Sequence, residues 1–104
     1  MGCQTRFTCS SCAYTCLVSG SGDIDYGMMS AQITLSCQTC RQVADAAVEV
    51  PEGRMYDLTR AELTVLPPCA VCGSTAARVW KRGNRCPQCR GRMVADPNDC
   101  VMWD

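Results

Sequence analysis

Four Cys-x-x-Cys pairs carry the chemistry legible in this chain. They are Cys9 and Cys12, Cys37 and Cys40, Cys69 and Cys72, and Cys86 and Cys89. A two-residue spacer lets one tight turn present two sulfurs to one ion. Two such turns close a tetrahedral S4 site, whose usual occupant is Zn²⁺. One pair alone would serve equally well as a redox dithiol. Four pairs in two well-separated sets point to metal, and all eight cysteines are candidate ligands for two Zn²⁺ ions per chain. Iron can substitute in an S4 site.

Other chemistry is thinly represented. The sequence has no histidine, which removes the commonest general base and the Ser–His and Cys–His nucleophile pairings. A closed S4 site has no open position for a reacting water. Asp23 and Asp25 read as polar loop residues rather than as an acid and base. Gly20-Ser21-Gly22 lacks the lysine and helix of a phosphate loop. Met28-Met29 reads as gap-filling core rather than a soft-metal site. Neither an enzyme nor a small-molecule substrate is expected.

The elements that must position the cysteines are short. With 104 residues and only 6% aromatics, no large core is available. Units of about 40–60 residues generally need a metal or disulfides. The 11 cysteines meet that need. Their pairing and odd number favour metal over a secreted disulfide framework. The opening Met1 to Arg6 has no apolar stretch behind a basic head, so a cytoplasmic location is expected. No apolar run approaches the roughly 18 residues of a membrane span. Cys3, Cys16 and Cys100 are left over and read as small apolar fillers.

Along the chain, Arg6 to Thr8 and Ala13 to Val18 read as strands. Ala31, Ile33 and Leu35 alternate with polar residues, a half-buried strand delivering Cys37. Gln42 to Val50 suits a strand better than a helix. Thr59-Arg60-Ala61-Glu62 has the form of a capping box, which allows one helical turn, while Leu63 to Leu66 suits extended chain equally well. Thr75 to Lys81 is a strand. Arg92 to Ala95 and Cys100 to Trp103 are read as a terminal hairpin turning at 96–99. The resulting division is a first zinc ribbon over 1–53, a connector over 54–68, and a second ribbon over 69–104. Cys12 and Cys37 are separated by 24 residues, and Cys72 and Cys86 by 13. Both gaps suit a ribbon closing on itself. Sequential pairing is therefore expected, with Cys9, Cys12, Cys37 and Cys40 at one ion and Cys69, Cys72, Cys86 and Cys89 at the other. The alternative is a cross-brace, in which the first and third pairs share a metal.

Charge is uneven. The formal net charge is zero, but eight thiolates contribute −8 and two divalent ions +4, leaving a metal-loaded chain near −4. That argues against general affinity for nucleic acid. Residues 63–95 nevertheless hold six basic side chains and no acid, whereas 1–62 hold four basic and seven acidic, and 96–104 hold three Asp. Arg78, Trp80 and Arg82 alternate, so a strand puts them on one face. With Lys81, Arg85, Arg90 and Arg92 they form a candidate nucleic-acid contact, in which a base stacks on Trp80. The competing reading is that Trp80 covers the small core.

The stretch Phe7-Thr8-Cys9-Ser10-Ser11-Cys12-Ala13-Tyr14 resembles the first knuckle of rubredoxins and rubredoxin-like zinc ribbons. Cys69-Ala70-Val71-Cys72-Gly73 and Cys86-Pro87-Gln88-Cys89 also resemble zinc-ribbon knuckles. Ala13, Arg41 and Arg90 stand where such knuckles often carry glycine, and the second pair lacks the Cys-Pro-x-Cys-Gly form. The plan is similar to small bacterial double-zinc-ribbon proteins without assigned activity. The resemblance implies a small β-rich fold of two tandem zinc ribbons with little helix. A binding role follows by elimination: a protein-interaction adaptor or regulator, with nucleic-acid binding, electron transfer and thiol redox as alternatives.

Overall fold

The computed structural model describes every residue except Met1, Met28, Met29, Met55 and Asp104. The core role read for Met28-Met29, and Asp104 of the terminal acidic run, lie outside the described residues.

Among the described residues seven strands follow one another: β1 (Gly2–Cys9), β2 (Thr15–Val18), β3 (Asp25–Tyr26), β4 (Ala31–Cys37), β5 (Val43–Ala47), β6 (Ala77–Val79) and β7 (Met93–Trp103). The expected class, small and β-rich with little helix, is what the structure holds. One turn of 3₁₀ helix, Arg60–Glu62, is the only helical element among the described residues. It starts at the expected capping box, where the Thr59 N–H donates to Glu62 Oε1 at 3.3 Å. Residues 43–47 are a strand, as their β-branched start favours.

Two sheets result. In the first, β1 lies between β2 and β7, antiparallel to both. In the second, β4 is central, pairing with β5 along one edge and with β3 and β6 along the rest. Strand pairing therefore crosses the boundary expected at 54–68: β1 pairs with β7, and β4 with β6. The second sheet, whose strands lie within residues 25–79, is inserted into the first, which uses both ends of the chain.

The terminal hairpin is corrected. Residues 93–103 form one strand along β1, with a break in register where Thr5 faces Cys100 and Phe7 faces Ala95. Asp96 to Asp99 bulge out there. A bulge keeps the ladder on both sides while adding residues to one strand. Arg6 Nε meets the Asp99 carboxylate at 2.8 Å.

Two leftover cysteines also depart from expectation. Cys3 and Cys100, on adjacent strands with Cα atoms 6.0 Å apart, are joined as a disulfide. They are not fillers: they link the two ends of the chain. Such a bond persists in oxidising surroundings, and reducing ones would leave two thiols. Cys16 does fill core space. It is buried, which pushes its thiol up to about 11, with Asp45 adding to the effect.

The core has two parts. Ile24, Ala31, Ile33, Leu35, Ala46 and Leu58 fill the inserted unit. Phe7, Cys16, Val18, Val43, Trp80 and Met93, with Cys9 and Cys86, fill the space between the sheets. Phe7 and Trp80 meet edge to face, ring centroids 5.1 Å apart. Gly20 backs this pair at φ 71°, where a Cβ would stand 3.0 Å from the Phe7 ring.

Asp45, which sequence reasoning passed over, ties the units together. It accepts from Gln4 Nε2 at 2.9 Å and from Ser19 N and Oγ at 3.1 and 3.2 Å, and it is bonded to the buried Thr34 hydroxyl. Thr34 Oγ1 in turn accepts from Gly20 N at 2.9 Å. The available signal was an Asp inside a strand, where it is disfavoured without a specific partner. Asp45→Ala is expected to cost about 2–3 kcal/mol, since it strands several donors at once. Denaturant unfolding of the metal-loaded protein checks this, and a cost below about 0.5 kcal/mol, the usual surface effect, would refute it.

Candidate metal centres

All four Cys-x-x-Cys turns have one backbone design. The N–H of the first cysteine donates to the carbonyl five residues on: Cys9 to Tyr14, Cys37 to Gln42, Cys69 to Ser74 and Cys86 to Gly91, at 2.7–3.0 Å. Closing the loop this tightly puts the residue after the second cysteine in the left-handed region. Ala13, Arg41, Gly73 and Arg90 have φ of 64°, 55°, 77° and 65°. Only Gly73 is the residue type that the position favours. Ala13→Gly should therefore stabilise the protein by about 0.5–1 kcal/mol, the left-handed strain relieved less glycine's extra chain entropy. A lower denaturation midpoint would refute this.

The turns meet in a nested order. Cys9, Cys12, Cys86 and Cys89 form one tetrad, and Cys37, Cys40, Cys69 and Cys72 the other, with all four sulfurs of each set within 4.8 Å of one another. This corrects both the sequential grouping and the cross-brace alternative. The cause lies in the sheets. β1 ends at Cys9 opposite Met93 of β7, which leaves the fourth turn. β4 ends at Cys37 opposite Ala77 of β6, which leaves the third. In each unit, a strand entering one turn pairs with a strand leaving the other. Ser10 N donates to Arg92 O, and Gln38 N to Ala76 O, both at 2.9 Å, pinning the turns together.

The sulfur sets suit a tetrahedral ion. Sulfur–sulfur distances are 3.5 Å for Cys9–Cys89, 3.6 Å for Cys12–Cys86 and for Cys37–Cys72, and 3.7 Å for Cys40–Cys69. A tetrahedron with metal–sulfur bonds of about 2.3 Å has edges of about 3.8 Å. The eight predicted ligands could thus hold two metal ions. Backbone N–H groups point at the sulfurs: Ser11 to Cys9 and Val71 to Cys69 at 3.4 Å, and Gln88 to Cys86 and Gly91 to Cys89 at 3.3 Å. The Ser11 N–H leads in holding the Cys9 thiol down at about 6, and the Cys40 N–H does the same for Cys37, also about 6. Burial pushes Cys40 up to about 12 and raises Cys86. Each set therefore has a thiol ready to ionise near neutral pH, and in the second the Cys72 N–H leads in lowering Cys69 as well. Others would lose their protons to a metal, so binding releases protons.

Gly91 lets the first and fourth turns touch. A Cβ there would lie 2.8 Å from Ser11 Oγ and 2.9 Å from Cys9 Sγ. The two centres are also linked, since Gln88 Nε2 donates to the Arg41 carbonyl at 2.5 Å.

The candidate nucleic-acid set divides. Arg78, Lys81, Arg82, Arg85, Arg90 and Arg92 are exposed. Trp80 is not: it is 2% exposed, and its Nε1 donates to Arg85 O at 3.0 Å. Its role as a stacking platform is corrected. The strand ends at Val79, and Trp80 turns into the core that the two sheets share. No helix among the described residues is long and apolar enough to cross a membrane. Compared with family models, curated proteins and solved structures, the chain has no match.

Proposed function

We propose that this chain is a non-catalytic adaptor module, held in shape by two structural Zn²⁺ ions, that binds a protein partner. What supports the reading is that each tetrad offers four sulfurs in a closed set. A metal so held is saturated, and it contributes to folding rather than to hydrolysis. Function is then left to the surface. Burial of Trp80 weakens the single-strand nucleic-acid alternative, because no base can stack on it.

The test is metal content of protein from its native source, together with titration by single-stranded oligonucleotides at two salt concentrations. Two zinc ions per chain and no oligonucleotide binding are expected. Two iron ions, with a visible absorption that bleaches reversibly on reduction, would overturn the reading in favour of electron transfer. Oligonucleotide binding that weakens steeply with salt would overturn it in favour of nucleic acid.

A further inference from the structure

We infer that the partner of this adaptor presents an Asp- and Glu-rich segment, received by the cleft that Arg78, Arg85 and Arg90 line. The inference rests on the adaptor reading. The cleft lies between β6 and the loop leading into the fourth cysteine turn, with a volume of about 450 Å³. Ser36, Gln38, Asn84 and the edge of the buried Trp80 are also in its wall, and no carboxylate lines it. Ion pairs among the described residues involve only Arg6 and Arg54, so these three guanidinium groups have no acidic partner among the described residues.

Two of them, those of Arg78 and Arg85, are nonetheless held in place. With its amide oxygen turned toward Arg78, Gln38 accepts from Arg78 Nε at 3.0 Å and Nη2 at 3.2 Å. Arg85 Nη1 reaches the Arg90 carbonyl at 3.5 Å. Guanidinium groups fixed by neutral partners keep their charge and free N–H groups for an incoming carboxylate, which they can bind in bidentate fashion. Arg82 and Arg92 extend the positive surface around Gly83 and Asn84.

Two observations favour carboxylates on a protein over a nucleic-acid backbone. The buried Trp80 removes the stacking surface that a single strand uses. The metal-loaded chain is also acidic overall, and its field repels a long polyanion. A short acidic segment meets chiefly the charges within a Debye length, about 8 Å at physiological salt.

The metal-loaded protein is titrated into a fluorescein-labelled (Glu-Thr)4 peptide, with (Gln-Thr)4, oligothymidylate and a short DNA duplex as comparisons, at about 50 and 150 mM salt. The acidic peptide should bind, the Gln peptide should not, and affinity should fall with salt. The double variant Arg78→Ser/Arg85→Ser should bind about tenfold or more weakly, a loss of about 1.4 kcal/mol or more. Arg60→Ser, away from the cleft, should bind as the parent does. Unchanged zinc content and circular dichroism show that the variants are folded. Absence of peptide binding, or a double variant equal to the parent, overturns the cleft proposal and leaves the adaptor reading standing. Oligonucleotide or duplex binding tighter than that of the peptide overturns both.

Discussion

Cys12→Ser and Cys86→Ser are expected to produce the same lesion, although 74 positions separate them. Both remove a sulfur from the tetrad of Cys9, Cys12, Cys86 and Cys89. Each variant should retain about one zinc and lose order in β1, β2 and β7. Cys37→Ser and Cys72→Ser should share the complementary lesion, centred on β4, β5 and β6. The effect is large because a structural zinc contributes about 10–16 kcal/mol of binding free energy at neutral pH, against a whole-domain stability of about 5–15 kcal/mol. Residue-resolved amide spectra and elemental analysis read both quantities. If Cys12→Ser instead matched Cys37→Ser in the residues it disturbs, the nested grouping would be wrong.

Trp80→Ala is expected to damage folding before binding. The side chain is fully enclosed, meets Phe7 edge to face, and satisfies the Arg85 carbonyl. Removing a buried tryptophan typically costs about 3–5 kcal/mol, and the stranded carbonyl adds to that. The midpoint of denaturant unfolding should fall sharply in metal-loaded protein. Trp80→Phe, which keeps a ring against Phe7 but not the N–H, should recover part of the loss. A midpoint unchanged in Trp80→Ala would place the indole at the surface and return it to the candidate contacts.

The eight candidate ligands were legible because Cys-x-x-Cys is a local device: two sulfurs, one turn, one ion. The strands leading to Cys9 and Cys37, the strand over residues 43–47, and the capped turn at Thr59 were legible for the same reason. Each depends on residues within a few positions of one another. The alternation of Arg78, Trp80 and Arg82 misled because it holds only while the strand lasts, and β6 ends at Val79.

Which turn meets which was decided only in three dimensions. Closing Cys12 onto Cys86 rather than onto Cys37 lengthens the loop about threefold, at an entropic cost of roughly 1 kcal/mol. So small a penalty lets packing choose. Phe7 against Trp80, the β1–β7 ladder and the bonds of Asp45 to Gln4, Ser19 and Thr34 are all made in the nested arrangement. The sequence by itself determined two tetrathiolate centres and the short strands beside them. Tertiary structure assigned each sulfur to its centre, buried Trp80, joined Cys3 to Cys100 and left a cluster of arginines without acidic partners among the described residues. Those outcomes depend on contacts between residues far apart in the chain, which neither spacing nor periodicity encodes.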